Sequence, residues 1–125
     1  MVKSFSKIGF GCYRINTGAE QHYDSLRKAL LSGVNLIDTS SNYSMGGSES
    51  LVGNVLNELI SENKIKREDI TLVTKGGYIQ GILLNELKKL KDEGKIFEDV
   101  VEESDRLWHC ISPGFLEDQL RRRVE

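Results

Sequence analysis

A chain of 125 residues suits one domain or a piece of a larger one, and its 38% hydrophobic and 29% charged residues fit an ordinary water-soluble fold. A net charge of −2 argues against nucleic acid or an anionic membrane as an electrostatically held partner. No apolar run approaches the roughly 20 residues that span a bilayer, and Met1-Val2-Lys3-Ser4 leads into structured sequence without the apolar core of a signal peptide.

The thiols of Cys12 and Cys110 lie far apart and lack metal-ligand spacing, so they read as free in a reducing cytosol. His22 and His109 are too few and too scattered to suggest a metal site.

Taken in order, Ile8 to Ile15 reads as a strand leading into a turn, with Gly9 and Gly11 flanking Phe10. Glycine inside a strand marks either a tight bend or packing gap, or the close approach of a backbone or ligand, and both readings fit. Thr17-Gly18-Ala19-Glu20 has capping-box form and predicts a helix over Gln21 to Ser32. Tyr23, Leu26, Ala29 and Leu30 share its apolar face, and Gly33 is placed to end it in a left-handed conformation. Val34 to Thr39 is a near-continuous apolar run, as in a parallel strand buried on both faces.

Gly46-Gly47 punctuates a loop, and Ser48 can cap the next helix. Leu51, Val55 and Leu59 form one row of that helix, and Val52, Leu56 and Ile60 form the next. Gly53 within it suggests close packing against a strand. Ile70 to Thr74 is a third strand, ending at Lys75 before Gly76-Gly77. The order β-α-β-α-β calls for parallel strands joined by right-handed crossovers.

After Gly77 the rhythm breaks. Leu83, Leu84, Leu87 and Leu90 mark a helix to about Asp92, ended by Gly94. Glu98 to Asp105 carries five acids and reads as a solvated face. So long an excursion from a strand end is typical of loops that shape a pocket. Ser112-Pro113 opens a last helix, with serine as cap and proline first. Phe115, Leu116, Leu120 and Val124 form its apolar face, and Arg121-Arg122-Arg123 sits at the end where cations suit the helix dipole.

Asp38, Tyr43 and Lys75 thus stand at or just beyond strand ends, the face on which α/β proteins bind ligands. A phenol, with an ordinary pKa of about 10, is a poor acid at neutral pH, and a nearby ammonium favours the phenolate. A carboxylate beside the lysine would hold it charged and in place. Such a trio can give a proton to a carbonyl oxygen or take one from an alcohol, as hydride transfer requires. Spacing alone favours a plainer arrangement, since a lone Asp, Tyr and Lys are common: Asp38 capping a loop, Tyr43 packed against it, and Lys75 a solvated strand end.

Gly9-Phe10-Gly11-Cys12-Tyr13, then Asn35 to Tyr43, Gly47-Ser48-Glu49-Ser50-Leu51-Val52-Gly53, Arg67-Glu68-Asp69-Ile70 and Val73-Thr74-Lys75 follow one another in a distinctive order and spacing. Over most of Ile8 to Gly77 the chain closely resembles the first part of the aldo-keto reductases. Leu107 to Leu120 is similar to the helix preceding the fourth strand in a branch with a long third loop. The resemblance implies an α/β fold, the N-terminal portion of a (β/α)8 TIM barrel. About three βα units are expected in one incomplete domain, with a long loop over about 76–111 and a helix over about 113–125.

The resemblance further implies NADP(H), or else NAD(H), bound in extended form without a Rossmann domain, and a small-molecule carbonyl or alcohol substrate. Tyr43 is then the general acid/base, Lys75 tunes it, and Asp38 pairs with Lys75. Gly11, Cys12 and Tyr13 meet the cofactor after the first strand, and Asp38 also approaches the nicotinamide ribose. Glu49 has only a structural part. The family's catalytic histidine follows the fourth strand, so His109, which precedes the last helix, is not it and reads as a loop residue. The segments that grip the pyrophosphate and the 2′-phosphate also come late in such a barrel. The chain is therefore expected to be a truncated cytoplasmic reductase, marginal in stability and inactive alone. The alternative is a non-enzymatic truncated paralogue or regulatory subunit that binds a full-length relative.

Overall fold

Apolar rows and left-handed glycines set where the elements begin and end. The computed structural model describes residues 4–124, so Val124 and Arg123, assigned to the last helix by the sequence, have side chains outside the described residues. Two units divide the chain, Met1–Lys75 and Gly76–Glu125.

The first unit runs β1 (Phe10–Gly11), α1 (Glu20–Leu31), β2 (Leu36–Asp38), a 3-10 turn (Tyr43–Gly46), α2 (Gly47–Ser61), a second 3-10 turn (Arg67–Asp69) and β3 (Thr71–Val73). The strands pair in parallel in the order β1-β2-β3, with Gly11 beside Asp38 and Asp38 beside Val73. Hydrogen bonds continue past the strand ends, from Cys12 N–H to Asp38 C=O (2.9 Å), Thr39 N–H to Val73 C=O (2.8 Å) and Ser41 N–H to Lys75 C=O (3.1 Å). The ladder thus carries the strands' register into the residues that follow them, which is what aligns the site.

Both rows of α2 are buried except for Ile60, which is half-buried, and they pack with Leu26 and Leu30 of α1 and with Ile37 of β2. Arg27 of α1 reaches Glu58 of α2 (3.2 Å) and Glu62 just past its end (2.7 Å), and the Tyr23 hydroxyl also donates to Glu58. Gly33 takes φ +94° and ends α1 as its position predicts.

Three expectations in this unit fail. Ala19 is the N-cap of α1 and no side chain caps it, because the turn before it is closed by the Asn16 carboxamide accepting from Gly18 N–H at 2.8 Å. Ser48 lies inside the first turn of α2, whose N-cap is Gly46, and its hydroxyl is engaged elsewhere. A Cβ at Gly53 would meet nothing within 4 Å, so close packing does not explain that glycine.

The second unit runs β4 (Tyr78–Ile79), α3 (Gly81–Asp92), β5 (Val101–Ser104), β6 (Leu107–His109) and α4 (Pro113–Val124). The stretch 76–111 is therefore built, not bare: its three strands form an antiparallel sheet in the order β4-β6-β5. All five acids of the run are exposed, two of them on β5, so it is a solvated face as expected. Ile79, Leu84, Leu87, Trp108, Cys110 and Phe115 form this unit's core. Cys110 N–H donates to Gly77 C=O at 2.9 Å, closing the excursion at its base.

His109 belongs to β6 and not to a loop, and its ring lies 5.3 Å from that of Tyr78. On α4 the buried positions are Phe115 and Gln119, whereas Leu120 is 60% exposed and leaves the apolar face assigned to it. Neither sheet is closed among the described residues, and none of their helices is long and apolar enough to cross a membrane.

Candidate active site

The three residues singled out at the strand ends converge within the first unit. Asp38 is the last residue of β2, Lys75 follows β3 by two residues, and Tyr43 opens the 3-10 turn after β2. The Lys75 ammonium donates to Asp38 Oδ1 at 2.7 Å, to the Thr39 carbonyl at 2.9 Å and to the Tyr43 hydroxyl oxygen at 3.3 Å. An ammonium has three hydrogens and no lone pair, so these contacts use all of them and fix Lys75 as the donor to the phenol. Tyr43 keeps its own hydrogen for another acceptor.

Electrostatics hold this geometry more than they stabilise the fold. The side chains of Lys75 and Asp38 are 46% and 49% exposed, and an ion pair so open to water is worth at most about 1 kcal/mol. The hydrogen bond to Asp38 nevertheless raises the lysine's pKa above its ordinary value, against the effect of burial and with further help from Tyr43. Lys75 therefore stays charged across the physiological range.

The turn that carries Tyr43 is strained. Ser44 (φ 51°) and Met45 (φ 55°) both take left-handed backbone, which costs a non-glycine residue about 1–2 kcal/mol. The Ser44 hydroxyl holds the turn by donating to the Ile15 carbonyl at 3.0 Å. The Tyr13 ring meets the Tyr43 ring edge-on, at 5.1 Å between centroids and 90° between planes. Tyr43 is thus wedged between the segment after β1 and the lysine after β3.

The segment expected to meet a cofactor divides in its surroundings. Cys12 is fully buried, and its N–H is spent on Asp38 C=O. Gly11 and Tyr13 are exposed, and a Cβ at Gly11 would meet nothing within 4 Å. Gly9, in contrast, would carry its Cβ to 3.3 Å from the Leu36 side chain and carbonyl, so the bulk missing there serves backbone approach. The open face at Gly11 lies beside Asp38 in the sheet register, a place where a flat ring and its ribose could lie against the strand end.

Two contributors escaped the sequence reading. The Thr39 carbonyl, an acceptor for Lys75, is backbone and carries no residue-type signal. Behind it the Thr39 hydroxyl lies 2.8 Å from the Ser48 hydroxyl, which donates to the Cys12 carbonyl at 2.9 Å. Only their adjacency to Asp38 and to the start of α2 could have marked them. Among the described residues no cluster of His, Cys, Asp or Glu could hold a metal ion.

Comparison with known proteins places the chain among relatives. The profile of the Aldo/keto reductase family matches residues 7–83. The chain is 37% identical over 67 residues to 4-dihydromethyl-trisporate dehydrogenase of Mucor mucedo, covering 54% of this chain and 19% of that protein. It is 33% identical over 70 residues to the NAD(P)H-dependent D-xylose reductase I,II of Candida tropicalis, covering 54% and 19%. With the NADH-specific methylglyoxal reductase of Escherichia coli K12 the identity is 31% over 140 aligned positions, covering 90% and 41%. The holo form of an aldo-keto reductase from Bacillus halodurans superposes with a TM-score of 0.65 at 23% identity, covering 96% of this chain and 31% of that one. The chain spans about a fifth to two fifths of the length of these curated relatives.

Proposed function

The chain belongs to the aldo/keto reductase family, and from that premise we propose that its first unit supplies the proton-transfer half of a carbonyl/alcohol oxidoreductase site. The observation that carries this reading is the Tyr43 hydroxyl, 3.3 Å from an ammonium whose other two hydrogens are taken by Asp38 and the Thr39 carbonyl. The phenol hydrogen is left to point at a substrate oxygen. In the reducing direction Tyr43 gives that proton to the carbonyl oxygen, and the Lys75 ammonium steadies the negative charge left on the phenol. In the oxidising direction the phenolate takes the proton back.

A nicotinamide, when bound, supplies or accepts the hydride. Gly11, Tyr13 and Asp38 would hold it, since the open face at Gly11 beside Asp38 suits a ring and ribose. Cys12 contributes through its backbone, which ties the segment to β2. NADP(H) is the proposed cofactor. One relative is named as NAD(P)H-dependent and another as NADH-specific, so NAD(H) stays an alternative for the test. The substrate is a small carbonyl compound or alcohol. Family resemblance puts the histidine partner of Tyr43 and the phosphate grip in later strands, and the described residues hold three parallel strands of a sheet that needs eight to close.

The test replaces the matching segment of a full-length family member with residues 8–77. The chimera is expected to reduce a reactive aldehyde with NADPH or NADH. Tyr43→Phe in it should lower kcat by about 10²–10⁴, the usual share of a general acid. A chimera that turns over equally well with phenylalanine would remove Tyr43 from the reaction. The 125-residue chain assayed alone is expected to show no appreciable turnover, and robust turnover by its monomer would refute the idea that it supplies only part of the site.

A second reading, association with a full-length relative, is favoured by β3, where Leu72 and Val73 are 36% and 41% exposed.

A further inference from the structure

The first turn of α2 touches the residues that follow all three parallel strands. Ser48 is fully buried, and its one hydroxyl hydrogen goes to the Cys12 carbonyl at 2.9 Å, just after β1. Because that hydrogen is spent, the 2.8 Å contact with Thr39, just after β2, must be a hydrogen bond donated by the threonine. The next residue, Glu49, accepts a hydrogen bond from the Thr74 hydroxyl, just after β3. Thr39 offers its carbonyl to the Lys75 ammonium, Thr74 precedes Lys75 in the chain, and Cys12 precedes Tyr13, which braces Tyr43.

We propose that Ser48 and Glu49 are positioning residues that set the distances within the Asp38–Tyr43–Lys75 trio. They do so by latching the three strand ends to the start of one helix. The Ser48 hydroxyl meets the Cys12 carbonyl and the Thr39 hydroxyl, and the Glu49 carboxylate meets the Thr74 hydroxyl. Each acts through a neighbour: Ser48 through the Thr39 hydroxyl, which holds the residue whose carbonyl orients the ammonium, and Glu49 through the Thr74 hydroxyl, which holds the chain next to Lys75. Side chains held by such supporting hydrogen bonds keep a reactive group in register where the strand ends alone would let it wander. The importance of the latch to catalysis rests on the acid/base reading of Tyr43, whereas its hold on Lys75 can be measured without turnover.

The experiment uses the 125-residue chain with isotopically labelled lysine and follows hydrogen exchange of the Lys75 ammonium by NMR at low temperature. Thr74→Val, at an exposed position, and Ser48→Ala should each raise that exchange about fivefold, the factor expected from losing one ordinary hydrogen bond. Backbone amides of Leu26 and Leu59 in the core serve as the control and should exchange as in the wild type. Thr74→Ser and Ser48→Thr, which restore the hydroxyl, should return Lys75 to its original rate. Wild-type exchange at Lys75 in a folded Thr74→Val chain would overturn the part assigned to Glu49. The same result in Ser48→Ala, or in Thr39→Val if Ser48→Ala fails to fold, would overturn the part assigned to Ser48. Equal acceleration at Lys75 and in the core would make the effect one of general stability and also count against the latch. If the latch holds and the Tyr43→Phe chimera remains active, the acid/base reading falls and the positioning result stands.

Discussion

Cys12 is sealed under the site, and its chemistry reports on the fold. Burial pushes its thiol from 9.0 up to about 11, with the nearby Asp38 carboxylate adding to the rise and Lys75 and the Ser48 hydroxyl opposing it. In the unfolded chain the thiol loses its proton near its ordinary value, and in the folded chain it keeps it until about 11. Between these limits the unfolded state binds fewer protons, so stability is complete below about pH 9 and declines as pH rises to about 11. The total loss is about 2–3 kcal/mol. Urea melts at pH 8 and pH 10.5 should show most of this drop in the wild type and not in Cys12→Ala. Parallel pH dependence in the two proteins would mean the thiol is not the cause. At this scale the sequence revealed what side-chain chemistry can reveal. Asp38, Tyr43 and Lys75 were visible as candidates because carboxylate, phenol and ammonium stood at strand ends, and the motifs around them, by their family resemblance, singled them out. The Thr39 carbonyl was not, since every residue has one and only the folded register shows which is aimed at a lysine.

Among the elements, α1 and α2 offer a matched pair of glycines. Gly33 ends α1 at φ +94°, and Gly53 sits within α2; a Cβ at either would meet nothing within 4 Å. Sterics with neighbours are therefore absent from both substitutions, and backbone preference alone decides the sign. Gly33→Ala should destabilise by about 1–2 kcal/mol, because alanine resists left-handed backbone. Gly53→Ala should stabilise by about 1 kcal/mol, the helix propensity difference. Chemical denaturation of the two variants checks both, and a shared sign would contradict the argument. The rows of α2 were legible because period 3.6 is written in Leu51, Val52, Val55, Leu56 and Leu59, all buried. Two helix starts were not: Thr17 and Ser48 have capping chemistry, but Asn16 closes one turn and the Cys12 carbonyl claims the other hydroxyl, whereas α4 begins at Pro113 as Ser112-Pro113 marks. On α4 the sequence marked Leu120 as apolar, yet the helix turns Gln119 inward with Phe115. The short strands of the 76–111 excursion escaped notice because β4 and β6 are two and three residues long, and β5, with Glu102 and Glu103 in it, is exposed throughout and leaves no alternating pattern to read.

For the molecule as a whole, the parallel sheet is the exposed question. Parallel strands are ordinarily covered on both faces and closed into barrels or flanked by more strands. Here β1 and β3 are the outer strands of three, and β3 presents Leu72 and Val73 to solvent. An apolar, half-exposed outer strand is a template for pairing with another chain. Size exclusion with a full-length family member should bring both chains into one peak, and Val73→Lys should separate them. Independent elution of the wild-type chain would count against association. The (β/α) order of the first unit was readable from alternating helical and apolar runs, whereas closure of the second unit on itself was not. That closure has its own consequence. The excursion leaves at Gly77 and returns at Cys110, and one backbone hydrogen bond of 2.9 Å joins the two points. Whatever lies between them is a cassette with fixed sockets. Insertion at its exposed Asp105-Arg106 turn, away from the core of Ile79, Leu84, Leu87 and Trp108, changes mainly the entropy of a closed loop, about 0.6 kcal/mol for each doubling, so that turn is free to diverge while the two ends of the excursion stay together.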